Sequence, residues 1–215
     1  MGGGFLWRQK SRLGSSQRER VLADVDWNLT KEQKKIYTDR IEQANNYLAS
    51  LSPSQPGFAL EVSGVYVFLG QQYYGLGLLH KSKEMYELAL KKDSNSENAI
   101  AGLALTLTTG GDKEGARELL EKSLKDIPGN RDIWLQLIQL RRGMGASNEE
   151  ITSLYGQALL NTDRHIDIIT SNGKFFADIG KNSEAISLWQ EAAKKNPDNA
   201  AAYQSEIDRL KSLSK

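Results

Sequence analysis

The chain has 215 residues, 39% of them hydrophobic, which is enough for one compact domain or one short solenoid with a buried core. Lys and Arg number 28 against 27 acidic residues, so the chain as a whole has no electrostatic reason to seek nucleic acid or an anionic membrane, and with no cysteine it has no disulfide scaffold, thiolate nucleophile or Cys-ligated metal site. Few prolines and plentiful Ala, Leu, Glu and Lys, which lose little freedom in a helix, predict an all-α fold.

Residues 1–28 are rich in Gly, Arg and Ser without hydrophobic periodicity and read as a flexible basic N-terminal segment. The charge bias sits in its first part, where Arg8, Lys10, Arg12, Arg18 and Arg20 face Glu19 alone. Gly2 to Trp7 followed by basic residues looks like the end of a membrane span with its cytoplasmic flank, and a tag or native tail is the other reading. The flank reading makes the repeats cytoplasmic, the favoured location, and membrane-anchored through an upstream segment. Leu6 stands where an N-myristoylation motif wants Ser or Thr, and no run reaches the roughly 20 apolar residues of a spanning helix.

Residues 29–62 carry an amphipathic helix from Thr30 to Leu51 and a linker. Tyr37, Ile41, Ala44, Leu48 and Leu51 share one stripe, and Thr30 with Gln33 forms a capping box. Ser52 to Gly57 is a loop, and the next helix starts near Phe58.

From 63 to 199 the sequence repeats with a period of about 34 residues. The four copies span 63–96, 97–130, 131–165 and 166–199. Tyr66, Ile100, Trp134 and Ile169 fill one large slot; Leu69, Leu103 and Leu137 fill another, where the fourth copy has Asn172. Gly77, Gly111, Gly145 and Gly180 end each first helix, because glycine takes the left-handed conformation cheaply. The second helix of each copy has a small slot (Ser82, Ala116, Ile151, Ala185), a large slot (Tyr86, Leu120, Tyr155, Trp189) and another small slot (Ala89, Ser123, Ala158, Ala192). Ser94, Pro128, Asp163 and Pro197 close the units. Ser147 with Glu150 makes a capping box, and Asp112 and Asn182 are set to cap the corresponding helices. Residues 200–215 form a capping helix with Tyr203, Ile207 and Leu210 on one stripe.

Each copy resembles a tetratricopeptide repeat (TPR), in the order large, Leu, Gly, Tyr, Gly, Ala, Phe, Ala, Pro. The first shows Tyr66, Leu69, Gly70, Tyr73, Gly77, Ser82, Tyr86 and Ala89; the fourth shows Gly173, Phe176, Gly180, Ala185, Trp189, Ala192 and Pro197. Arg141 and Ile138 in the third copy depart from the family pattern. The resemblance implies an α-α superhelix, a TPR solenoid of about four helix-turn-helix repeats with an N-terminal flanking helix and a C-terminal capping helix.

By the same resemblance the first helices line a concave groove. Its positions are Val67, Gln71 and Tyr74, then Ala101, Leu105 and Thr108, then Leu135, Gln139 and Arg142, then Thr170 and Lys174. Such a groove implies a non-catalytic scaffold for another protein, a peptide or an amphipathic helix, with Arg142 and Lys174 favouring an acidic one. Val67 and Gln71 stand where chaperone-binding relatives carry a basic residue and an asparagine, so chaperone tails are not expected partners. A membrane-tethered assembly factor, loosely similar to TPR proteins of bacterial cytochrome or pilus biogenesis, is the alternative, and self-association by end-to-end stacking remains a further reading.

Residues of catalytic type are sparse. His80 and His165 are expected in loops between helices, without a metal-ligand partner, and Asp24 and Asp26 as solvated carboxylates. The groove positions contain no His, Asp, Glu or Cys, so neither catalysis nor a cofactor is expected. Gly75 to His80 nearly spells a dinucleotide fingerprint but follows a helix and lacks the last glycine. Asn28-Leu29-Thr30 matches a glycosylation sequon by chance, and the Tyr and Trp residues are expected to pack the core.

Overall fold

A computed structural model describes residues 22–213. Among the described residues ten α-helices follow in order: α1 (Lys31–Ser50), α2 (Phe58–Gly75), α3 (Leu79–Lys92), α4 (Glu97–Thr109), α5 (Lys113–Asp126), α6 (Arg131–Gly143), α7 (Asn148–Asn161), α8 (Ile166–Asp178), α9 (Asn182–Lys195) and α10 (Ala200–Leu213). A short 3-10 turn, Pro197–Asn199, precedes the last. There is no strand among the described residues, and the architecture is an all-α solenoid of four helical hairpins.

Local chemistry places the ends. Thr30 and Ser147 each close a reciprocal capping box, with Gln33 and Glu150. Asp112 and Asn130 accept from the backbone N–H groups of Gly115 and Ile133. Lys181, not Asn182, takes the N-cap position of α9. All four hairpin glycines, Gly77, Gly111, Gly145 and Gly180, have φ between 77° and 86°, the left-handed conformation that ends a helix.

Each hairpin cannot bury its apolar face alone, so neighbours do it together. The small slots let the second helix approach closely: Ser82, Ala116 and Ala185 are fully buried, and the Ser82 hydroxyl donates to the Gly70 carbonyl at 2.9 Å. The large slots fill the space between hairpins. Tyr86 lies against Gly70 and Gly102, where a Cβ would come within 2.9 Å and 2.2 Å of its ring, and Trp189 lies over Gly173. The helices pack with their sequence neighbours, and α2, α4, α6 and α8 touch in succession to form the inner layer. The main core runs unbroken from Leu22 to Leu210, with a satellite around Ala44, Val65 and Leu69 beneath α1. Gln204, Asp208, Arg209 and Lys211 of α10 face water, as a terminal helix requires.

Residues 1–21, including the basic cluster and Gly2 to Trp7, lie outside the described residues. Residues 22–28, assigned to the same flexible segment by sequence, instead run as a strap along the hairpin turns. Val25 N donates to the Gly77 carbonyl at 2.9 Å, and the Trp27 indole N–H donates to the Tyr74 carbonyl at 2.9 Å. Leu22 is 4% exposed, seated at Gly110. The other hairpins carry Leu76, Met144 and Ile179 at the position of Gly110. Leu22 supplies from a distance the apolar group that this hairpin lacks. The strap also corrects two readings: Asp24 pairs with His80 at 2.8 Å, and His80 belongs to α3. Among the described residues no helix is long and apolar enough to cross a membrane.

The turn between α7 and α8 holds Asp163 and Arg164 at φ of 50° and 52°, in the left-handed region unusual for such side chains. Two groups of α9 hold it there: Glu191 takes Arg164 through both carboxylate oxygens, and Lys195 donates to the Asp163 carbonyl. The Arg164 hydrogen bond keeps the Glu191 carboxyl below the usual glutamate range. Its stabilisation is therefore present above the ordinary carboxylate range and is lost as pH falls through the lowered folded-state value. Glu191→Gln is expected to cost up to about 1 kcal/mol near neutral pH, and the difference from the parent should vanish in acid. Urea titrations of both proteins across that pH range measure it, and a difference constant with pH contradicts the assignment.

Candidate protein-binding groove

The inner layer presents two adjoining concavities. The larger, a trough of about 700 Å³, lies between α2, α4 and α6. The smaller, about 550 Å³, lies between α6 and α8. Of the predicted positions, Gln71, Tyr74, Ala101, Leu105, Thr108 and Gln139 line the first; Leu135, Arg142, Thr170 and Lys174 line the second, where Gln139 also contributes. Val67 is the exception. It is 7% exposed and belongs to the core, because α2 packs its face against α4 there.

The trough is mainly apolar. Leu105 stands 51% exposed in it, and Tyr86 and Leu120 of the second helices show through the floor beside Gly102. These floor residues belong to the second helices and so were missed by a list drawn from the first helices. Gly102, whose missing side chain lets the edge of Tyr86 reach the trough, was the available signal. Tyr74 forms one wall, its hydroxyl 3.0 Å from that of Thr109 and its ring 5.9 Å from Trp27 of the strap. The Tyr86 hydroxyl is pushed up to about 12, first by burial and then by Tyr74 nearby, and so stays protonated across the physiological range. Lys113 reaches the trough but donates to the Gly143 carbonyl at 3.2 Å, completing the end of α6.

The smaller concavity is charged. Arg142 is held by Asp178 at 3.4 Å and lies over the Phe175 ring at 5.4 Å. Lys174 is exposed and has no ion-pair partner among the described residues. Asp167, absent from the sequence-derived positions, lines the same hollow and pairs with Arg131 at 2.7 Å. The groove thus contains a carboxylate that the reading by family position left out, since Asp167 sits at the start of α8, ahead of the groove slots. His165 caps α8, its ring nitrogen accepting from the Asp167 N–H. Among the described residues no group of three or more His, Cys, Asp and Glu side chains is placed to hold a metal ion.

Four stacked helical hairpins, each ended by a left-handed glycine and joined through small and large slots, define the tetratricopeptide-repeat fold. The sequence matches no protein-family model. Solved structures share the fold: MamA, with a TM-score of 0.55 and 18% identity over 83% of this chain and 99% of that one; a thermophilic TPR protein of Thermus thermophilus, with 0.54 and 17% over 80% and 90%; and pilF of Pseudomonas aeruginosa, with 0.54 and 21% over 71% and 68%. Among curated proteins, the vesicular-fusion protein sec18 of Schizosaccharomyces pombe is 32% identical over 117 residues, 52% of this chain. The chain spans only 15% of the length of that relative.

Proposed function

We propose that this protein is a non-catalytic scaffold that holds a segment of a partner protein in the groove of α2, α4, α6 and α8. The observation that carries the reading is the trough itself. Side chains that the stacking of repeats does not require converge on one apolar hollow, with Leu105 half exposed within it. A solvent-facing surface without a guest has no need of such a hollow. Next to it, Lys174 and the Arg142–Asp178 pair offer a net basic end suited to an acidic side chain of the same partner. Acidic preference is weaker than a free Arg142 would give, because Asp178 already neutralises it.

A pull-down comparing the parent with a Leu105→Glu, Leu135→Glu, Arg142→Glu variant tests the surface. Buried anchor positions dominate interface energies, so the variant is expected to lose at least about tenfold in affinity for the proteins retained by the parent. Identical partner lists with equal recovery would exclude this groove. The membrane-tethered alternative rests on Gly2 to Trp7 and the basic residues after them, and the groove does not bear on it.

A further inference from the structure

The two ends of the solenoid are finished differently. At the C-terminal end α10 turns Gln204, Asp208, Arg209 and Lys211 to water, whereas near the N-terminal end an apolar row is left uncovered on α2. From Leu60 to Gln71 the exposed positions of this helix are Leu60, Gly64, Phe68 and Gln71, a single row along its side, with Leu60 65% and Phe68 39% exposed. Beside the row runs α1, and a hollow of about 400 Å³ lies between the two helices. Gly64 sits in mid-helix without a positive φ, and a Cβ there would meet nothing within 4 Å. The fold of the chain therefore has no use for this glycine, which weakens a helix relative to alanine. A helix from outside does have a use for it, because it approaches closest where no side chain stands.

The charges around the hollow show what that helix belongs to. α1 runs antiparallel to α2: Tyr37 lies against Gly75, and the Tyr47 hydroxyl donates to the Glu61 carboxylate. Arg40 thus stands at the Phe68 end of the row and Glu61 at the Leu60 end, both lining the hollow. Among the described residues Arg40 has no ion-pair partner, and Glu61 accepts from the neutral side chains of Tyr47 and Gln55 with no cation against it. Row and charges are each their own complement. A two-fold axis through Gly64 sets it against the partner's Gly64, Leu60 against the partner's Phe68 and Arg40 against the partner's Glu61, and the symmetry forms each contact twice. Other occupants fit less well. End-to-end stacking would lay the polar face of α10 on Leu60 and Phe68. The strap of residues 22–28 leads from Tyr74 to Gly110, away from Leu60.

We propose that this face is a homodimer interface, in which α2 packs antiparallel on α2 of a second copy about a two-fold axis at Gly64 and two Arg40–Glu61 pairs close its edges. It does not rest on the groove reading: Leu105, Leu135 and Arg142 of the pull-down variant lie on α4 and α6, so the two can fail separately.

Sedimentation equilibrium of the full chain over a range of concentrations tests it. The parent is expected to pass from one chain mass to two and no further. Gly64→Leu, which sets two leucines against each other at the axis, should weaken the association about a hundredfold. Gly156→Leu, at an exposed glycine of α7 with equally open surroundings, should leave it unchanged. At dilutions where both are monomers, Gly64→Leu should melt no lower than the parent, since the new side chain starts into open space. Arg40→Glu and Glu61→Arg each bring like charges together at both pairs and should stay monomeric where the parent is dimeric; mixed in equal amounts they restore both pairs and should recover the dimer. A parent that keeps one chain mass overturns the inference, as do assemblies larger than two, a dimer that withstands Gly64→Leu, or charge variants that do not associate when mixed. Should Gly64→Leu melt lower than the parent, the mixture of charge variants decides alone.

Discussion

Replacing Trp189 with alanine is expected to cost about 3–5 kcal/mol of folding free energy. The indole is 3% exposed, lies over Gly173 of α8 and stacks on Tyr203 of α10 at 5.8 Å. It is the floor on which the last helix rests. In a solenoid each unit touches only its neighbours, so the damage should concentrate in α8, α9 and α10 and leave the first two repeats folded. Hydrogen exchange then reports fast amides in α10 while α2 to α5 stay protected. Trp189→Phe separates packing from polarity. The indole N–H is buried with no acceptor, so phenylalanine removes an unsatisfied donor together with some volume, and about 1–2 kcal/mol is expected. An alanine variant within about 1 kcal/mol of the parent would mean that α10 is held by something other than this ring.

The repeat was legible because most of its positions keep one physical task from copy to copy. Ala116 and Ala185 let the second helix approach, Gly111 and Gly180 turn left-handed, and Tyr155 and Trp189 fill the space between hairpins; periodicity alone exposes such constraints. The strap was not legible for the converse reason. Its residues occur once, and Trp27, Asp24 and Val25 meet partners some fifty residues away on the edge of the hairpin turns, where no hydrophobic period points. A clue existed in Gly110, small where Leu76, Met144 and Ile179 are large, but it asks for an apolar group without saying which.

The groove was read from a positional pattern, and it fails where position and environment part. Val67 has the same register as Ala101 and Leu135, yet it turns into the core at the first repeat. Tyr86 and Asp167 reach the groove from outside the pattern, one through the gap at Gly102 and the other from a helix start. Arg142 was placed correctly, but its charge is already engaged by Asp178, a pairing across 36 residues that no local spacing announces.

Alanine at Gly77 is expected to cost about 2–4 kcal/mol, against about 1–2 kcal/mol for alanine at Gly111, although both replace a hairpin glycine. At Gly111 the φ is 86° and nothing lies within 4 Å of the new methyl, so only the left-handed strain of an L-residue counts. Gly77 has the same strain at 78°, and there the methyl would fall 1.8 Å from the Val25 carbonyl oxygen. That neighbour is backbone, so the strap must leave its seat. With it go the Val25–Gly77 hydrogen bond, the Trp27–Tyr74 contact and the burial of Leu22 at Gly110, which together add a cost comparable to the strain itself. The two variants differ in a second observable. The Val25 amide should exchange fast in Gly77→Ala and remain protected in Gly111→Ala, because only the first unseats the segment. Tyr74, relieved of Trp27, would then stand as a looser wall of the trough, so the proteins retained by the parent in the pull-down should be recovered less well by Gly77→Ala even at temperatures where both proteins are folded. Equal destabilisation by the two alanines, with the Val25 amide protected in both, would show that the strap does not run over Gly77.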